Sequence, residues 1–339
     1  MKIAIHDHPS SFSDHWIEYC KAKGIEYKIV NAYDSNIIQQ VQDCDVFMWH
    51  HHHADPKDVL FAKQLLYSLE ESGKRVFPDF HTTWHFDDKV GQKYLLEAIG
   101  APLVPSYVFY SKKEALNWIS KTTFPKVFKL RGGAGAANVM LAHTAREARK
   151  LVRKAFGRGF TQFDRAGYLK ERYRKWREGK DSFVGVLKGV GRLFVNTDFA
   201  KMHGREKGYA YFQEFIPNNE FDTRVVVIGG ERALCERRYC RKGDFRASGS
   251  GHFEYVETDR KVLEIAFQVA QKLKLQTVAF DFIYDKVKPL IVEMSYGFGT
   301  HGISHCGGYY TEDLQWHEES EPNFYGWMVE NLICQDEHQ

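Results

Sequence analysis

A chain of 339 residues with 43% apolar content can bury a large core, and its length corresponds to two or three domains. Its apolar runs are far too short to span a bilayer, and the start, MKIAIHDHPS, reads as a strand rather than a signal peptide. A net charge of +3 points to no class of partner. Six cysteines (Cys20, Cys44, Cys235, Cys240, Cys306, Cys334) without a CxxC pair suit reduced thiols in a cytoplasm better than a disulfide framework or a zinc ribbon.

The first 84 residues alternate short apolar strands with helical patterns. Strands are expected at 2–5, 27–30, 45–49 and 74–78, and helices at about 13–24, 35–42 and 60–69. That order predicts a small parallel α/β domain over residues 1–84. No GxGxxG follows its first strand, so a dinucleotide site is not expected there. His50 to His53 follow the third strand, at the end of the sheet where ligands tend to sit. Four adjacent imidazoles cannot all reach one metal, so polar loop contacts or hydrogen bonds to a substrate are the expectation.

Asp87-Asp88-Lys89 opens a helix running to about Ile99, and a strand (107–110) and a helix (112–119) come next. Val127-Phe128-Lys129-Leu130 reads as a strand carrying a lysine, with Val139-Met140-Leu141-Ala142 as its hairpin partner. The glycine-rich Arg131 to Asn138 between them could lie over phosphates with its bare amides, or could be a plain loop. It is not a Walker A motif, because no Gly-Lys-Ser/Thr opens a helix after it. Further on, 258–273 is an amphipathic helix capped by Thr258 or Asp259. It has a packing role only.

The most informative stretch is 278–302. Val278 to Tyr284 and Pro289 to Met294 read as adjacent antiparallel strands, and each carries an acid, Asp281 and Glu293, inside an apolar run. On one face they would make a carboxylate pair for Mg2+; at strand ends they would merely face water. The tail after them is rich in glycine, histidine and aromatics. Tyr296, Phe298, Tyr309, Tyr310 and Trp316 could stack on sugars or simply pack the end of the domain. His301 or His305 could accept a proton. Cys306 beside His305 is no protease dyad, since neighbouring residues on an extended chain point apart.

In this order the segments resemble the ATP-grasp superfamily over residues 85–300, in the branch of glutathione synthetase and the ligase that adds glutamates to a ribosomal protein. The resemblance implies an ATP-grasp fold, α/β plus α+β. The expected parts are an N-terminal parallel α/β domain (1–84), an entry segment with a central lid domain (85–210) and a C-terminal α+β domain (211–339). It implies phosphate contacts from Lys89 and Lys129, and a mobile loop with Gly132, Gly133 and Gly135 over the phosphates. It implies adenine binding by Gln213-Glu214-Phe215-Ile216, and ribose and phosphate contacts from Asp222 and Arg224. Arg237, Arg238 and Arg246 would face the transferred phosphoryl group and the substrate. Asp281, Glu293 and Ser295 would hold Mg2+; the family's usual Glu-x-Asn is here Glu293-Met294-Ser295, so a second Mg2+ would be held differently.

The function this implies is an ATP-dependent carboxylate–amine ligase working through an acyl phosphate on small-molecule or glycan-linked substrates. The tail is similar to ATP-grasp proteins of surface polysaccharide synthesis, which points to an anionic sugar or glycan precursor. A kinase acting on a hydroxyl, or a nucleotide binder without turnover, would use the same parts. A homodimer is allowed; nucleic acid is not expected. Residues 145–192 hold fifteen basic and five acidic side chains, a net +10, so the rest of the chain is −7 within the overall +3. Such a run is either a solvated helical face or, through Arg172, Arg174, Lys175 and Arg177, a recruiter of an anionic acceptor.

Overall fold

The computed structural model describes residues 1–133, 138–161, 204–241 and 243–334, with isolated positions between 169 and 190. Gly135, Arg174 and Lys175 lie outside the described residues, as does much of the basic segment.

The N-terminal sheet comprises β1 (Ile3–His6), β2 (Tyr27–Val30), β3 (Val46–Met48) and β4 (Arg75–Phe77), in the order β2-β1-β3-β4 and wholly parallel. Helix α1 (Phe12–Lys23) starts where the Ser11 side chain accepts from the Ser13 amide, and it buries Trp16, Ile17 and Cys20. The helix expected at 35–42 is a single turn, α2 (Ile37–Gln40). Asn36 makes no side-chain cap there and Ile37 alone is buried, so too little apolar surface sustains a longer helix. Conversely α3 (Pro56–Glu71) starts four residues before the periodic pattern, because Asp55 caps it and Pro56 fits its first turn.

A second, antiparallel sheet has the order β5 (Ser106–Phe109), β10 (Ala210–Glu214), β6 (Lys126–Lys129), β7 (Val139–Ala142). Helices α6 (Lys112–Ile119) and α7 (Ala145–Ala155) cover one face through Ala115, Ile119, Ala148 and Val152. A two-residue pair, β8 (Phe160–Thr161) with β9 (Arg205–Glu206), flanks it.

The third sheet runs β15 (Lys288–Ser295), β14 (Thr277–Asp285), β11 (Phe221–Ile228), β12 (Arg232–Tyr239), β16 (Gly308–Thr311), β17 (Trp316–Glu318), with β13 (Phe253–Glu254) also on β12. Its two faces have different partners, following the period-2 alternation of a strand. Val225, Val227, Phe280 and Phe282 pack with helix α8 (Arg260–Lys272). Val226, Ile228, Leu234 and Ala279 turn the other way, into one core with β1, α1 and the C-terminal helix α9 (Phe324–Ile333).

Two connections depart from the division expected from the sequence. Helix α5 (Lys89–Ala98), placed there with the lid, packs on the third sheet: Leu96 is buried in its core, and the chain after it is tied to β15 by Ile291 N to Pro102 O (2.7 Å) and Val104 N to Ile291 O (3.0 Å). Its apolar face is what β15 needs to cover. Helix α9, at the far end of the chain, returns to the N-terminal sheet. Arg75 from β4 donates to the carbonyls of Leu332 (2.8 Å) and Ile333 (3.2 Å), satisfying otherwise unpaired groups at a helix C-terminus. Met328→Ala, in the core joining these parts, is expected to cost about 2–5 kcal/mol; a denaturation midpoint unchanged from wild type would show that α9 is dispensable to that core.

Candidate active site

A cleft of about 860 Å3 opens where the three sheets meet. Its floor is the face of the third sheet that farther along packs on the N-terminal sheet. On β11 that face carries Asp222 and Arg224 ahead of Val226; on β12, Glu236 and Arg238 follow Leu234. Where the sheet leaves the core, the same alternation presents charge instead of apolar side chains.

The charges form a row. Glu293 lies directly opposite Asp281, Asp281 opposite Arg224, and Arg224 opposite Glu236, on the adjacent strands β15, β14, β11 and β12. Directly opposed residues of antiparallel strands share a face, so the carboxylate pair expected from the sequence is side by side. At about 4.8 Å per strand, the row spans roughly 14 Å. The register of β14 and β15 shifts between Asp281 and Phe282, a bulge placed at the acid.

Asp281 is held from two sides. Arg224 Nε and Nη2 donate to its oxygens at 2.9 and 3.1 Å, and Arg238 Nη2 lies 2.8 Å away. Arg238 also forks onto Asp222, at 2.7 Å for both bonds. Burial alone would raise the Asp281 pKa, but the two guanidiniums outweigh it and hold the carboxyl well below its usual range. For Asp222 burial wins over Arg238, and its pKa is raised. Glu293 pairs with the Lys89 ammonium at 3.0 Å.

Two buried lysines approach this row: Lys129 lines the cleft, and Lys89 reaches Glu293 from the start of α5 without lining the cleft. Lys89 is 4% exposed; burial lowers its pKa, yet Glu293 and Asp87 raise it further, so the net shift is upward. The ammonium of Lys129, a residue also 4% exposed, has no hydrogen-bond or ion-pair partner among the described residues. Burial, only partly opposed by Glu293, brings its pKa down to about 8. The start of the glycine loop is latched between these parts: the Gly133 amide donates to Asp87 Oδ1 (2.7 Å) and its carbonyl accepts from Lys89 Nζ (2.8 Å). Gly133 has φ +114°, a conformation that favours glycine. Ala134 to Ala137 lie outside the described residues.

Gln213, Glu214, Phe215 and Ile216 line the cleft at the end of β10. Gln213 is buried against Ser106 (3.1 Å), and the Glu214 carboxylate is taken by Lys126 at 2.6 Å to both oxygens. Arg246 reaches the cleft with its guanidinium on Asp244 (2.6 Å). Ser295 lines the cleft too, its hydroxyl donating to Gly297 O (2.6 Å). Arg237 does not join the cluster. Alternation along β12 sends it to the opposite face, near Glu254 (3.7 Å) and over the Phe221 ring, and Arg238 takes the cleft position.

The histidine run does reach the cleft: His50, His52 and His53 line it, and His50 stacks on Phe12 with centroids 3.7 Å apart. Burial, reinforced by neighbouring imidazoles, pushes His50 down to about 3 and His53 down to about 4, so both are neutral near pH 7. Of the tail aromatics only Phe298 lines the cleft. Tyr296 is buried among Phe77, Phe86 and His51, Tyr310 among core side chains, Tyr309 stacks on His317, and Trp316 is exposed elsewhere. His301 lines the cleft and His305 does not. Cys306 is buried, with burial raising its thiol pKa, which suits packing rather than nucleophilic attack.

Sequence reasoning passed over Asp87, Lys126 and Glu236. Glu236 is the most consequential: it is 3% exposed, lines the cleft and has burial pushing its pKa up to about 7 against the pull of Arg224 and Arg238. Its only sequence signal was an acid that directly follows the apolar run Ala233-Leu234-Cys235 and precedes two arginines, weaker than the acid of Asp281, which has apolar residues on both sides.

Among the described residues no group of three or more His, Cys, Asp or Glu side chains is placed to hold a metal. A hard cation could rest on Asp281 and Glu293 together with oxygens brought by a phosphate ligand. Asp281 accepts three arginine N–H groups, against about four acceptor sites on a carboxylate. One remains, so the donor set fits such an ion only with ligand oxygens completing it. Arg238→Ala removes the forked counter-charge of Asp222 and leaves Asp281 with Arg224 alone; it is expected to cost about 3–5 kcal/mol in chemical denaturation, and a loss under 1 kcal/mol would mean water compensates the acids.

A model of the RimK-like ATP-grasp domain matches residues 201–311. Two curated relatives, each described as a probable alpha-L-glutamate ligase, come from Xanthomonas euvesicatoria pv. vesicatoria (strain 85-10) and Xanthomonas axonopodis pv. citri (strain 306). They are 33% and 32% identical over 105 residues, which is 29% of this chain and 36% of each relative. The match thus spans about a third of the length of these relatives. Among solved structures, a RimK domain ATP-grasp protein from Sphaerobacter thermophilus DSM 20745 has a TM-score of 0.60 at 15% identity, covering 98% of this chain and 99% of that one. D-alanine–D-alanine ligase from Bacillus anthracis, complexed with ATP, has a TM-score of 0.57 at 12% identity, covering 98% and 96%. At such identities the likeness is one of fold. Residues 201–311 match the RimK-like ATP-grasp domain, and the ATP-grasp fold is shared over nearly the whole chain.

Proposed function

We propose that the protein is an ADP-forming carboxylate–amine ligase. The observation that carries this is the approach of two buried lysines, Lys129 lining the cleft and Lys89 paired with Glu293, to the Glu293–Asp281 pair that lines the cleft of an ATP-grasp fold. ATP as substrate would place its adenine at Gln213 to Ile216, where the backbone and Phe215 supply the contacts, since the Glu214 carboxylate is engaged by Lys126. Its phosphates would lie between Lys129, Lys89 and the glycine loop from Gly132 and Gly133 onward, with Mg2+ held at Asp281 and Glu293 and Ser295 reaching it at most through water. Asp222 and Arg224 would meet the ribose and phosphate region with Arg238 between them. Bound Mg2+ supplies charge neutralisation for the transferred phosphoryl group.

The carboxylate substrate gains a leaving group when its oxygen takes the γ-phosphoryl, forming an acyl phosphate that an amine then attacks. Lys129 stabilises the charge on the moving phosphoryl, and Arg246, at the cleft edge, orients the acid. The name of the curated relatives suggests L-glutamate as the first acid to try. An amino acid is favoured over an anionic sugar or glycan precursor, because four of the five aromatic rings that could have stacked on a sugar lie outside the cleft. No described helix is long and apolar enough to cross a membrane, and a cytoplasmic setting suits the free cysteines and the need for ATP.

Hydroxylamine trapping across a panel of L-glutamate, other amino acids and uronic acids tests the reading. A ligase yields hydroxamate with ADP; a stable phosphoester would mean a kinase, and neither product a nucleotide binder. Glu293→Gln and Asp281→Asn are expected to abolish ADP formation. The Glu293 variant is the cleaner, since Asp281 also anchors two arginines; near-normal turnover in it at saturating Mg2+ would remove the metal assignment.

Lys129 gives a pH signature. Its pKa falls from 10.5 to about 8, so above about 8 the folded protein has lost a charge that an unfolded chain keeps to 10.5. Stability should therefore rise with pH across that window. Phosphate binding favours the ammonium, so ATP affinity should fall as pH rises through about 8, with proton uptake on binding. Calorimetry in two buffers of different ionisation heat is expected to show the uptake in wild type and its absence in Lys129→Met; no uptake in wild type would place the ammonium away from the phosphates.

A further inference from the structure

The ligase reading leaves one buried carboxylate in the cleft without a task. Glu236 stands at the end of the charge row, one strand beyond Arg224, and its Oε2 has no hydrogen-bond partner among the described residues. Burying a carboxylate oxygen without a donor is costly unless a ligand supplies one. The chain makes room for that oxygen: a Cβ on Gly302 would fall 1.7 Å from Oε2, although the Gly302 φ of −68° suits any residue. Glycine is needed there for space, not for backbone freedom. The loop is pinned at that point by Tyr255, whose hydroxyl donates to Gly302 O (2.7 Å). The charged and titratable groups around Glu236 are Arg224, Arg238, Asp222 and Asp281 in the row, with Tyr255, Cys235 and Cys306 behind it.

We propose that Glu236 is the proton acceptor for the attacking amine, and that the space bounded by Glu236, Arg224 and the Phe253–Gly302 edge is the amine subsite. The assignment rests on the ligase reading. An amine reaches the cleft from neutral water as an ammonium ion, which donates to Oε2. Its proton passes to the carboxylate, and the freed lone pair forms the N–C bond to the acyl carbon. The C–O bond to phosphate breaks, and the electron pair leaves with the phosphate. The second nitrogen proton goes to the departing phosphate, and Glu236 returns its own proton to solvent. A carboxyl that titrates near neutrality can take and release a proton on each turnover. Arg224, between Asp281 and Glu236, separates the phosphoryl end of the row from the amine end.

The experiment compares two nucleophiles on one acyl phosphate. Hydroxylamine is already unprotonated at neutral pH and needs no base, whereas glycinamide must first lose a proton. With ATP, Mg2+ and the panel acid that yields most hydroxamate, L-glutamate being tried first, the amide-to-hydroxamate ratio is measured for wild type, Glu236→Gln and Gly302→Ala. Glu236→Gln is expected to lower the ratio roughly a hundredfold. Gly302→Ala, which keeps the carboxylate but pushes it aside, should lower the ratio in the same sense and covers the case in which the Glu236 variant does not fold. A ratio unchanged from wild type in the folded variants would overturn the assignment while leaving the ligase reading standing. No hydroxamate from wild type with any acid would overturn that reading, and the assignment with it.

Discussion

The forked grip of Arg238 on Asp222 and Asp281, completed by Arg224, is the constraint on which the rest of the cleft depends. Three neighbouring strands each contribute charge to one face of a sheet, and none of those side chains could be buried alone. Paired, they fix the register of β14, β11 and β12 as firmly as a hydrophobic stripe would, since slipping one strand by a residue would strand every charge on the wrong face. The pairing also keeps Asp281 ionised and leaves it acceptor capacity for a cation. The same interaction therefore closes the sheet and prepares the site.

Around that row the fold sets a gradient of compensation. Glu293 and Lys89 are paired, Asp281 is overcompensated, and Lys129 and Glu236 are left without partners among the described residues, one a cation and the other an acid. Burial moves both unpartnered groups towards neutrality, Lys129 downward and Glu236 upward. Buried groups of this kind carry a desolvation cost that a ligand of opposite character would offset. In the proposed reaction they would mark its two ends, phosphate at one and amine at the other.

The walls come from distant parts of the chain. Helix α5 brings Lys89 because its apolar face is needed by β15. Helix α9 closes the core that brings the N-terminal sheet, with His50 to His53 on the loop after β3, against the third sheet. His50 and His53, neutral through burial, give their wall of the cleft a polar but uncharged lining. The tail after β15 passes over Glu236 at Gly302 and sends most of its aromatic rings inward.

The sequence by itself determined the element order, the parallel N-terminal sheet, the antiparallel strands of Asp281 and Glu293, and the lysine on β6, because each is written in local periodicity or in an acid interrupting an apolar run. The start of α8 followed because its cap, Asp259, was visible; α3 was started too late, and the expectation failed at 35–42, where too little apolar surface was available to sustain the helix. Only the tertiary structure decided which arginine serves the cleft. Arg237 and Arg238 are equivalent as neighbours in a string, and the face of β12 separates them. It alone decided that Lys126 would claim the Glu214 carboxylate, that Asp87 would latch Gly133, and that the Glu236 carboxylate would be buried without a partner among the described residues. Each of those outcomes depends on what lies across a strand or beneath a distant loop, and contacts at such separation leave no periodic trace in the chain.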